Sequence, residues 1–217
     1  MELAERALRA VFIDLDGTVL HTIPTLYDCY LKFLQGYGEI GSPEEFDRLN
    51  GPTLPEVILY LKERYGIREN SESLLALYQE NVLDKINEFS VLPGCEECLW
   101  HLREQGVNLF IVTSSPKNFA QKALEAHGLY ALFTSVICGD EIEKGKPDPM
   151  IYQEALYRAQ VAPQQALAIE DSFRGVQSAR AAGVPTLFLS SENQNLGLDP
   201  VLNVKSWKEV QLFLFGS

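Results

Sequence analysis

Near its N-terminus the chain reads Val11-Phe12-Ile13-Asp14-Leu15-Asp16-Gly17-Thr18: an apolar run, two carboxylates spaced two apart, and a glycine. The run is apolar from Ala10 without alternation, which predicts a strand buried on both faces, as in a parallel sheet covered by helices. Such strands present catalytic groups at their carboxyl ends, where Asp14 falls. The spacing can turn Asp14 and Asp16 toward one crevice, and Gly17 permits a sharp exit. Taken alone, the stretch fits a strand followed by an acidic turn equally well.

Length and composition set the class of protein. The 217 residues can bury one sizeable core and leave room for a second small domain. With 46% hydrophobic and 22% charged residues, the composition is that of an ordinary soluble globular protein. The formal net charge of −12 disfavours nucleic acid as the main partner. Small anionic substrates remain possible, because local cations or a bound metal can reverse the field at one site.

Targeting and cysteine signals favour a cytoplasmic protein. No apolar run approaches the roughly 18 to 20 residues that cross a bilayer, so no membrane partner is expected. Met1 to Arg9 lacks the apolar centre of a signal peptide. Cys95 and Cys98 form a C-x-x-C pair, but no second pair completes a metal site. We therefore interpret the four cysteines as packing residues, most of them reduced.

The pattern along the chain predicts an α/β protein with an inserted helical domain. From about residue 20 to 90 the apolar residues recur at helical spacing, and Thr53 suits an N-cap. Thereafter strands and helices alternate, which is typical of a doubly wound parallel sheet. We expect a core of residues 1–20 and 91–217, and a helical domain of residues 21–90. The predicted strands are Ala10–Ile13, Val107–Val112, Ser135–Cys138, Ala166–Ile169, Val184–Phe188 and, more weakly, Val201–Val204.

Polar residues follow four of these strands. If the strands are parallel, their polar ends converge on one edge of the sheet, which is hard to obtain by chance. The groups are complementary in type: carboxylates, hydroxyls and one ammonium. They are Asp14 with Asp16, Thr113 with Ser114, Lys146 in the loop after a strand, and Glu170 with Asp171.

This set of groups favours phosphoryl transfer. A phosphate monoester needs on the order of 20 kcal/mol of barrier reduction, mostly by positioning and charge stabilisation. Asp14 can attack phosphorus to form an acyl phosphate. Because a carboxylate repels a phosphate dianion, the site also needs cations. Asp14 with Asp171, and in one interpretation Glu170, offers the hard oxygen ligands that suit Mg²⁺.

The remaining groups have separate predicted roles. Lys146 provides a point charge for the transferring oxygens, while the Thr113 hydroxyl and the Ser114 backbone N–H can donate to them. Asp16 is then free to protonate the leaving alkoxide and later to deprotonate the attacking water. Thr113 and Ser114 could instead form only a turn, and Glu170 could cap the next helix.

In these motifs the chain resembles the haloacid dehalogenase superfamily, in its phosphatase branch with a helical cap, to which phosphoglycolate phosphatase and beta-phosphoglucomutase belong. The resemblance implies a Rossmann-like core, Mg²⁺ and an aspartyl-phosphate intermediate. It also implies that Asp14 and Asp171 bind the metal by side chain and Asp16 by its backbone carbonyl. The matching motifs are Asp14-Leu15-Asp16-Gly17-Thr18, Thr113-Ser114, Lys146 within Gly-Lys-Pro-Asp-Pro, and Glu170-Asp171-Ser172 followed by Gly175.

The resemblance leaves several residues and reactions open. Lys144 could compete with Lys146, although the Lys-Pro-x-Pro pattern favours Lys146. His21 could touch the substrate or be a solvated hinge residue. We expect the loop of Gly51, Pro52 and Thr53 to contact the leaving group.

The expected function is Mg²⁺-dependent hydrolysis of a small phosphorylated metabolite. Dehalogenating relatives lack the acid corresponding to Asp16, and mutase relatives commonly have Val where Thr18 stands and a cation in the cap loop. Residues 50–54 contain no cation, which favours hydrolysis over a mutase. A sugar-phosphate mutase remains the alternative. A non-catalytic binding protein on this fold is a further one. The sequence leaves the oligomeric state open, with a monomer slightly favoured.

Overall fold

A computed structural model describes residues 8–191 and 201–216; residues 1–7, 192–200 and Ser217 of the predicted core lie outside the described residues. Within those ranges the chain forms one six-stranded parallel sheet with the order β3-β2-β1-β4-β5-β6, which confirms the predicted doubly wound α/β class. The strands are β1 (Ala10–Ile13), β2 (Asn108–Val112), β3 (Ser135–Ile137), β4 (Ala166–Glu170), β5 (Thr186–Leu189) and β6 (Leu202–Val204).

The central strands are buried on both faces, as their continuous apolar runs predict. In β1, Val11 and Ile13 belong to one hydrophobic cluster, whereas Ala10 and Phe12 belong to the other. This division follows from the alternation of side chains along a strand. Strand β5 begins later than predicted. Pro185 has no N–H to donate to the ladder, so regular pairing starts at Thr186.

Helices cover both faces of the sheet. Helices α7 and α8 pack on the face of Phe12, and α5, α6 and α9 pack on the face of Val11. The Trp207 indole N–H donates to the Thr18 carbonyl (2.7 Å), which ties α9 to the loop after β1. These helices are α5 (Cys95–Glu104), α6 (Lys117–Ala126), α7 (Met150–Ala159), α8 (Phe173–Ala181) and α9 (Trp207–Phe215).

Between β1 and α5 the described chain forms helices and loops without a strand. The four helices are α1 (Ile23–Gln35), α2 (Pro43–Leu49), α3 (Leu54–Tyr65) and α4 (Ser71–Leu83). Thr53 caps α3 in a capping box with Glu56, as its position predicts. The chain enters and leaves this block side by side, because Leu20 pairs with Val91 and the His21 N–H donates to the Ser90 carbonyl (2.8 Å). The division into domains at residues 20/21 and 90/91 stays a prediction.

The structure also bears on the expectations that the cysteines are packing residues and that no segment spans a membrane. Each of the four cysteines lies in the described part of the chain, where it is buried and free. Among the helices of residues 8–191 and 201–216, none combines the length and apolarity that a membrane span requires.

Candidate active site

The polar strand ends meet where the chain order of the sheet reverses. Strand β1 lies between β2 and β4, so Asp14, Thr113 and Glu170 are neighbours at one edge. The Asp14 N–H donates to the Ile169 carbonyl (3.0 Å), which fixes its backbone against β4. One carboxylate oxygen each from Asp14, Glu170 and Asp171 lie within 4.8 Å of one another.

Lys146 is the ammonium at this edge, and it is only 2% exposed. Its Nζ donates to Asp14 Oδ1 (2.5 Å), Glu170 Oε1 (2.6 Å) and the Val112 carbonyl (3.0 Å), so all three protons have acceptors. Burial opposes the charge, but Asp14 and Glu170 outweigh it and raise the pKa of Lys146. The Tyr152 hydroxyl also donates to Glu170. The Lys146 contacts hold the Asp14 carboxylate in one orientation.

The site contains more negative than positive charge. Four carboxylates, those of Asp14, Asp16, Glu170 and Asp171, surround the single ammonium of Lys146. Burial raises the pKa of Glu170 to about 7, and burial followed by the charges of Asp14 and Glu170 raises the pKa of Asp171 well above its usual range. A cluster of hard carboxylate oxygens with uncompensated charge fits a divalent cation.

Two glycines make room for these carboxylates. A Cβ on Gly17, whose φ is +80°, would lie 2.0 Å from Asp171 Oδ2. A Cβ on Gly175 would lie 1.9 Å from Glu170 Oε2. Both glycines belong to the predicted motifs, and both are required by the close approach of backbone to carboxylate.

Asp16 is held apart from the three converging carboxylates. Thr22 Oγ1 donates to its Oδ1 (2.7 Å) and Ser115 Oγ donates to its Oδ2 (2.6 Å). Burial, and then the charge of Asp14, raises the pKa of Asp16 to about 6. A carboxyl group with such a pKa can give and take a proton near neutral pH.

Thr113 and Ser114 leave hydrogen-bond donors available. Thr113 Oγ1 accepts from the Ser115 N–H (3.1 Å), so its hydroxyl proton can still be donated. Within the described ranges, the backbone N–H of Ser114 has no acceptor. The Ser114 hydroxyl instead donates to the carbonyl of Gly51 in the helical block. These two residues therefore offer donors and also join the two parts of the chain.

A cavity of about 130 Å³ lies between the sheet edge and the helical block. Its floor consists of Asp14, Asp16, Thr113, Ser114, Ser115 and Lys146. Its roof is apolar and includes Ile23, Leu26, Phe46, Leu54, Val82 and Leu83. Asn50, Gln79 and Asn118 add uncharged amides between floor and roof.

The predicted substrate-contacting residues divide into two pairs. Gly51 and Pro52 line the cavity, but His21 and Thr53 do not. His21 is exposed, and its backbone N–H donates to the Ser90 carbonyl at the entry to the helical block. The Thr53 hydroxyl is used locally, because it donates to Glu56 (2.8 Å). The backbone of Thr53 passes close to Gly145, because a Cβ on Gly145 would lie 2.6 Å from the Thr53 nitrogen.

Sequence reasoning missed the residues that orient the acids. Ser115 and Thr22 hold Asp16, and Tyr152 holds Glu170. Ser115 follows the predicted Thr113-Ser114 pair directly and could have been found there. Thr22 resembles an ordinary helix N-cap in sequence. Tyr152 lies on α7 at a regular apolar position, and nothing in its pattern separates it from packing residues.

Known proteins resemble this chain in sequence and in fold. The sequence model of the haloacid dehalogenase-like hydrolase family matches residues 11–189 of this chain. A phosphorylated carbohydrates phosphatase of Thermotoga maritima is 30% identical over 83% of this chain and 84% of its own length. Phosphoglycolate phosphatase 1 of Pseudomonas aeruginosa is 32% identical over 83% of this chain and 69% of its own length. A beta-phosphoglucomutase structure from Clostridium difficile shares the fold, with a TM-score of 0.86, 20% identity, and coverage of 96% of both chains. The chain belongs to the haloacid dehalogenase-like hydrolase family.

Proposed function

We propose that this chain is a Mg²⁺-dependent phosphatase that hydrolyses a small phosphorylated metabolite through an aspartyl-phosphate intermediate. The observation that supports it best is the arrangement of the two acids. Asp14 is fixed by Lys146 beside the carboxylate cluster, whereas Asp16 is held separately by Thr22 and Ser115 with its pKa raised to about 6. Relatives named as phosphatases support the same class of reaction.

The carboxylate cluster would hold the metal ion. Asp14, Glu170 and Asp171 provide the oxygen donors, and the excess of negative charge among them suits a divalent cation. Bound there, Mg²⁺ would offset the negative charge of substrate and site. Lys146 cannot do this alone, because its three protons are already shared between Asp14, Glu170 and the Val112 carbonyl.

In the first half-reaction a carboxylate oxygen of Asp14 attacks phosphorus. The bond from phosphorus to the ester oxygen breaks, and Asp16 donates its proton to that oxygen, so the alcohol leaves neutral. The Thr113 hydroxyl and the Ser114 N–H donate to the phosphoryl oxygens. In the second half-reaction Asp16 takes a proton from water, the water oxygen attacks phosphorus, and Asp14 is released with inorganic phosphate.

The roof excludes bulk water from these steps. The hydroxyl of Ser114 donates to the carbonyl of Gly51, and the Arg174 side chain packs against Gly51 from the core. These contacts place the apolar helices directly above the acids. A dry site strengthens each electrostatic interaction within it and prevents premature loss of the acyl phosphate.

A sugar-phosphate mutase is the second candidate, because a beta-phosphoglucomutase shares the fold. A mutase has to hold a second phosphate away from the reacting one. Among the described residues that line the cavity, Lys146 is the one cation, and it lies on the floor. The roof therefore favours hydrolysis.

A phosphate-release assay over phosphorylated metabolites with Mg²⁺ tests the proposal. We expect activity that EDTA abolishes and that Asp14→Asn lowers at least about 10⁴-fold, because the amide is not a nucleophile. Asp28→Asn, an exposed change on α1, is the matched control and should leave the rate unchanged. Activity that survives both EDTA and Asp14→Asn would exclude the proposed chemistry, and faster isomerisation than phosphate release would favour the mutase.

A further inference from the structure

The roof of the cavity is built for an apolar group. Its side chains come from α1, α2, α3 and α4, and they include Leu26, Phe46, Val82 and Leu83. Three aliphatic residues and an aromatic one thus face the same space above the acids. A hydroxylated group placed against them would lose its hydrogen bonds to water without gaining new ones, which costs free energy for each unpaired hydroxyl.

The polar groups near the roof are few and neutral. Asn50, Gln79 and Asn118 line the cavity, and in the described part of the chain their side chains have no hydrogen-bond partner. Each amide offers one acceptor and two donors. Together with the Tyr78 hydroxyl, which also lines the cavity, they can satisfy a few uncharged polar substituents, but not hydroxyls that lie against the aliphatic side chains.

A second anionic group has no counterion in this space. Lys146 is the one cation among the described lining residues, and its protons are bound to Asp14, Glu170 and the Val112 carbonyl. A carboxylate or second phosphate on the leaving group would be desolvated beside acidic residues without a partner. Burial of an unpaired charge is the most costly case of all.

The size of the cavity sets the size of the group. An apolar cavity of roughly 150 Å³ holds one benzene molecule. The cavity here is about 130 Å³ and also has to admit the phosphoryl group at Asp14. Because the phosphoryl group takes part of this volume, one six-membered ring, or a branched aliphatic group of similar volume, is the upper limit for the leaving group.

We propose, on the basis of the phosphatase function above, that the substrates are phosphate monoesters of uncharged, largely apolar alcohols of at most about one ring, with few neutral polar substituents. This class differs from those in the names of the two relatives, which are phosphorylated carbohydrates and phosphoglycolate. The proposed difference in substrate class rests on the residues of the roof and not on those of the floor.

Two esters of the same ring size and phosphate position test the proposal on the unmodified protein. Cyclohexylmethyl phosphate and glucose 6-phosphate both carry the phosphate on a CH₂ attached to a six-membered ring, and they differ in ring oxygen and hydroxyls. We expect kcat/KM to be at least about 100-fold higher for cyclohexylmethyl phosphate. The inductive effect of the sugar oxygens makes glucose the better leaving group, so the intrinsic reactivity works against this expectation.

The outcomes separate the proposal from the function on which it rests. A preference for glucose 6-phosphate or phosphoglycolate, with activity that Asp14→Asn abolishes, overturns the apolar class and leaves the phosphatase intact. Hydrolysis of none of the three esters with Mg²⁺ overturns both. A preference of less than about tenfold for the apolar ester also overturns the proposed class.

Variants of the roof test whether its side chains cause the preference for the apolar ester. Leu83→Gln should lower the ratio of kcat/KM for cyclohexylmethyl phosphate over glucose 6-phosphate about tenfold. Leu77→Gln lies on the same helix, is 42% exposed and lies outside the cavity, so it should leave the ratio unchanged. Leu26→Asn, from α1, provides an independent roof variant if Leu83→Gln does not fold. An unchanged ratio in a folded roof variant overturns the proposal.

Discussion

The floor and the roof of the cavity differ in how their polar groups are satisfied. On the floor the charged groups lie within hydrogen-bond distance of one another, as Lys146 does with Asp14 and Glu170. The roof is apolar, and the amides of Gln79 and Asn118 beside it have no partner in the described ranges. The side chains of the floor are therefore held mainly by one another, whereas these amides of the cavity are left for a ligand to satisfy.

Because of this difference, we expect one part of the chain to set the reaction rate and another to set the choice of substrate. The floor comes from loops at the ends of rigid parallel strands, and the roof comes from helices inserted between β1 and α5. Changes to the floor should alter the turnover of all esters alike. Changes to the roof should alter the ratio between esters while the chemistry continues.

After Asp14→Asn, Asp16→Asn should have the largest effect on turnover among the floor residues. Without a group that gives and takes a proton, kcat should fall about 10³-fold. With p-nitrophenyl phosphate, whose leaving group needs no protonation, the first half-reaction should continue and the second should stall. Intact mass spectrometry during turnover should then show a protein carrying one phosphoryl group. The double variant with Asp14→Asn should show none, and absence of the phosphoenzyme in Asp16→Asn would contradict the role given to Asp16.

Lys146→Met should destabilise the fold as well as slow the reaction. Removing the ammonium leaves Asp14 and Glu170 buried without their partner, and the free energy of unfolding should fall by about 3 kcal/mol. Urea unfolding followed by circular dichroism measures the change. Lys144→Met is the control, since Lys144 is exposed, and it should stay within about 0.5 kcal/mol of the unmodified protein. Equal stability of the two variants would contradict the assigned pairing.

Gly175→Ala should weaken the carboxylate cluster without removing a charge. Its methyl group would lie 1.9 Å from Glu170 Oε2, so the carboxylate has to move. The Mg²⁺ concentration for half-maximal activity should rise about tenfold. Gly36→Ala at the end of α1 is the control, because its Cβ would lie 3.2 Å from the nearest atom, the Phe33 carbonyl oxygen. An unchanged Mg²⁺ requirement in Gly175→Ala would argue against a metal-binding role for Glu170.

The floor was largely predictable from the sequence because its residues stand at fixed places beside recognisable strands. Once β1 was placed at Ala10–Ile13, Asp14 had to lie at the sheet edge, and the parallel alternation brought Thr113, Lys146 and Glu170 to the same edge. These assignments depend on backbone topology, which apolar runs indicate well. The chemical roles of the residues remain proposals.

The roof could not be predicted in the same way. In α1 the same helical pattern contains Leu26, which lines the cavity, and Leu34, which is buried in the hydrophobic core. Periodicity identifies an apolar face but does not say whether another helix or a ligand covers it. For the same reason the sequence left His21 and Thr53 as candidates, although neither residue lines the cavity.

Glu45 is a buried charge of the helical block that does not line the cavity. It lies on α2 next to Phe46 of the roof and accepts hydrogen bonds from the hydroxyls of Tyr30, Tyr60 and Tyr65. Burial works to raise the pKa of Glu45, but the three hydroxyls outweigh it and hold the pKa below its ordinary value of 4.5. Its ionised form therefore stabilises the fold above that pH.

Glu45→Gln should have the smallest effect, a loss of about 2 kcal/mol in the free energy of unfolding at pH 7. Because the folded-state pKa is depressed, the difference from the unmodified protein should persist above pH 4.5 and shrink as the pH falls through the folded value. Urea unfolding between pH 7 and pH 3.5 measures it, with Asp47→Asn on the exposed side of α2 as the control. The ratio of kcat/KM between esters should stay constant, since Glu45 does not line the cavity. A changed ratio would mean that the tyrosine cluster also shapes the roof, and the separation of stability from selectivity would then fail.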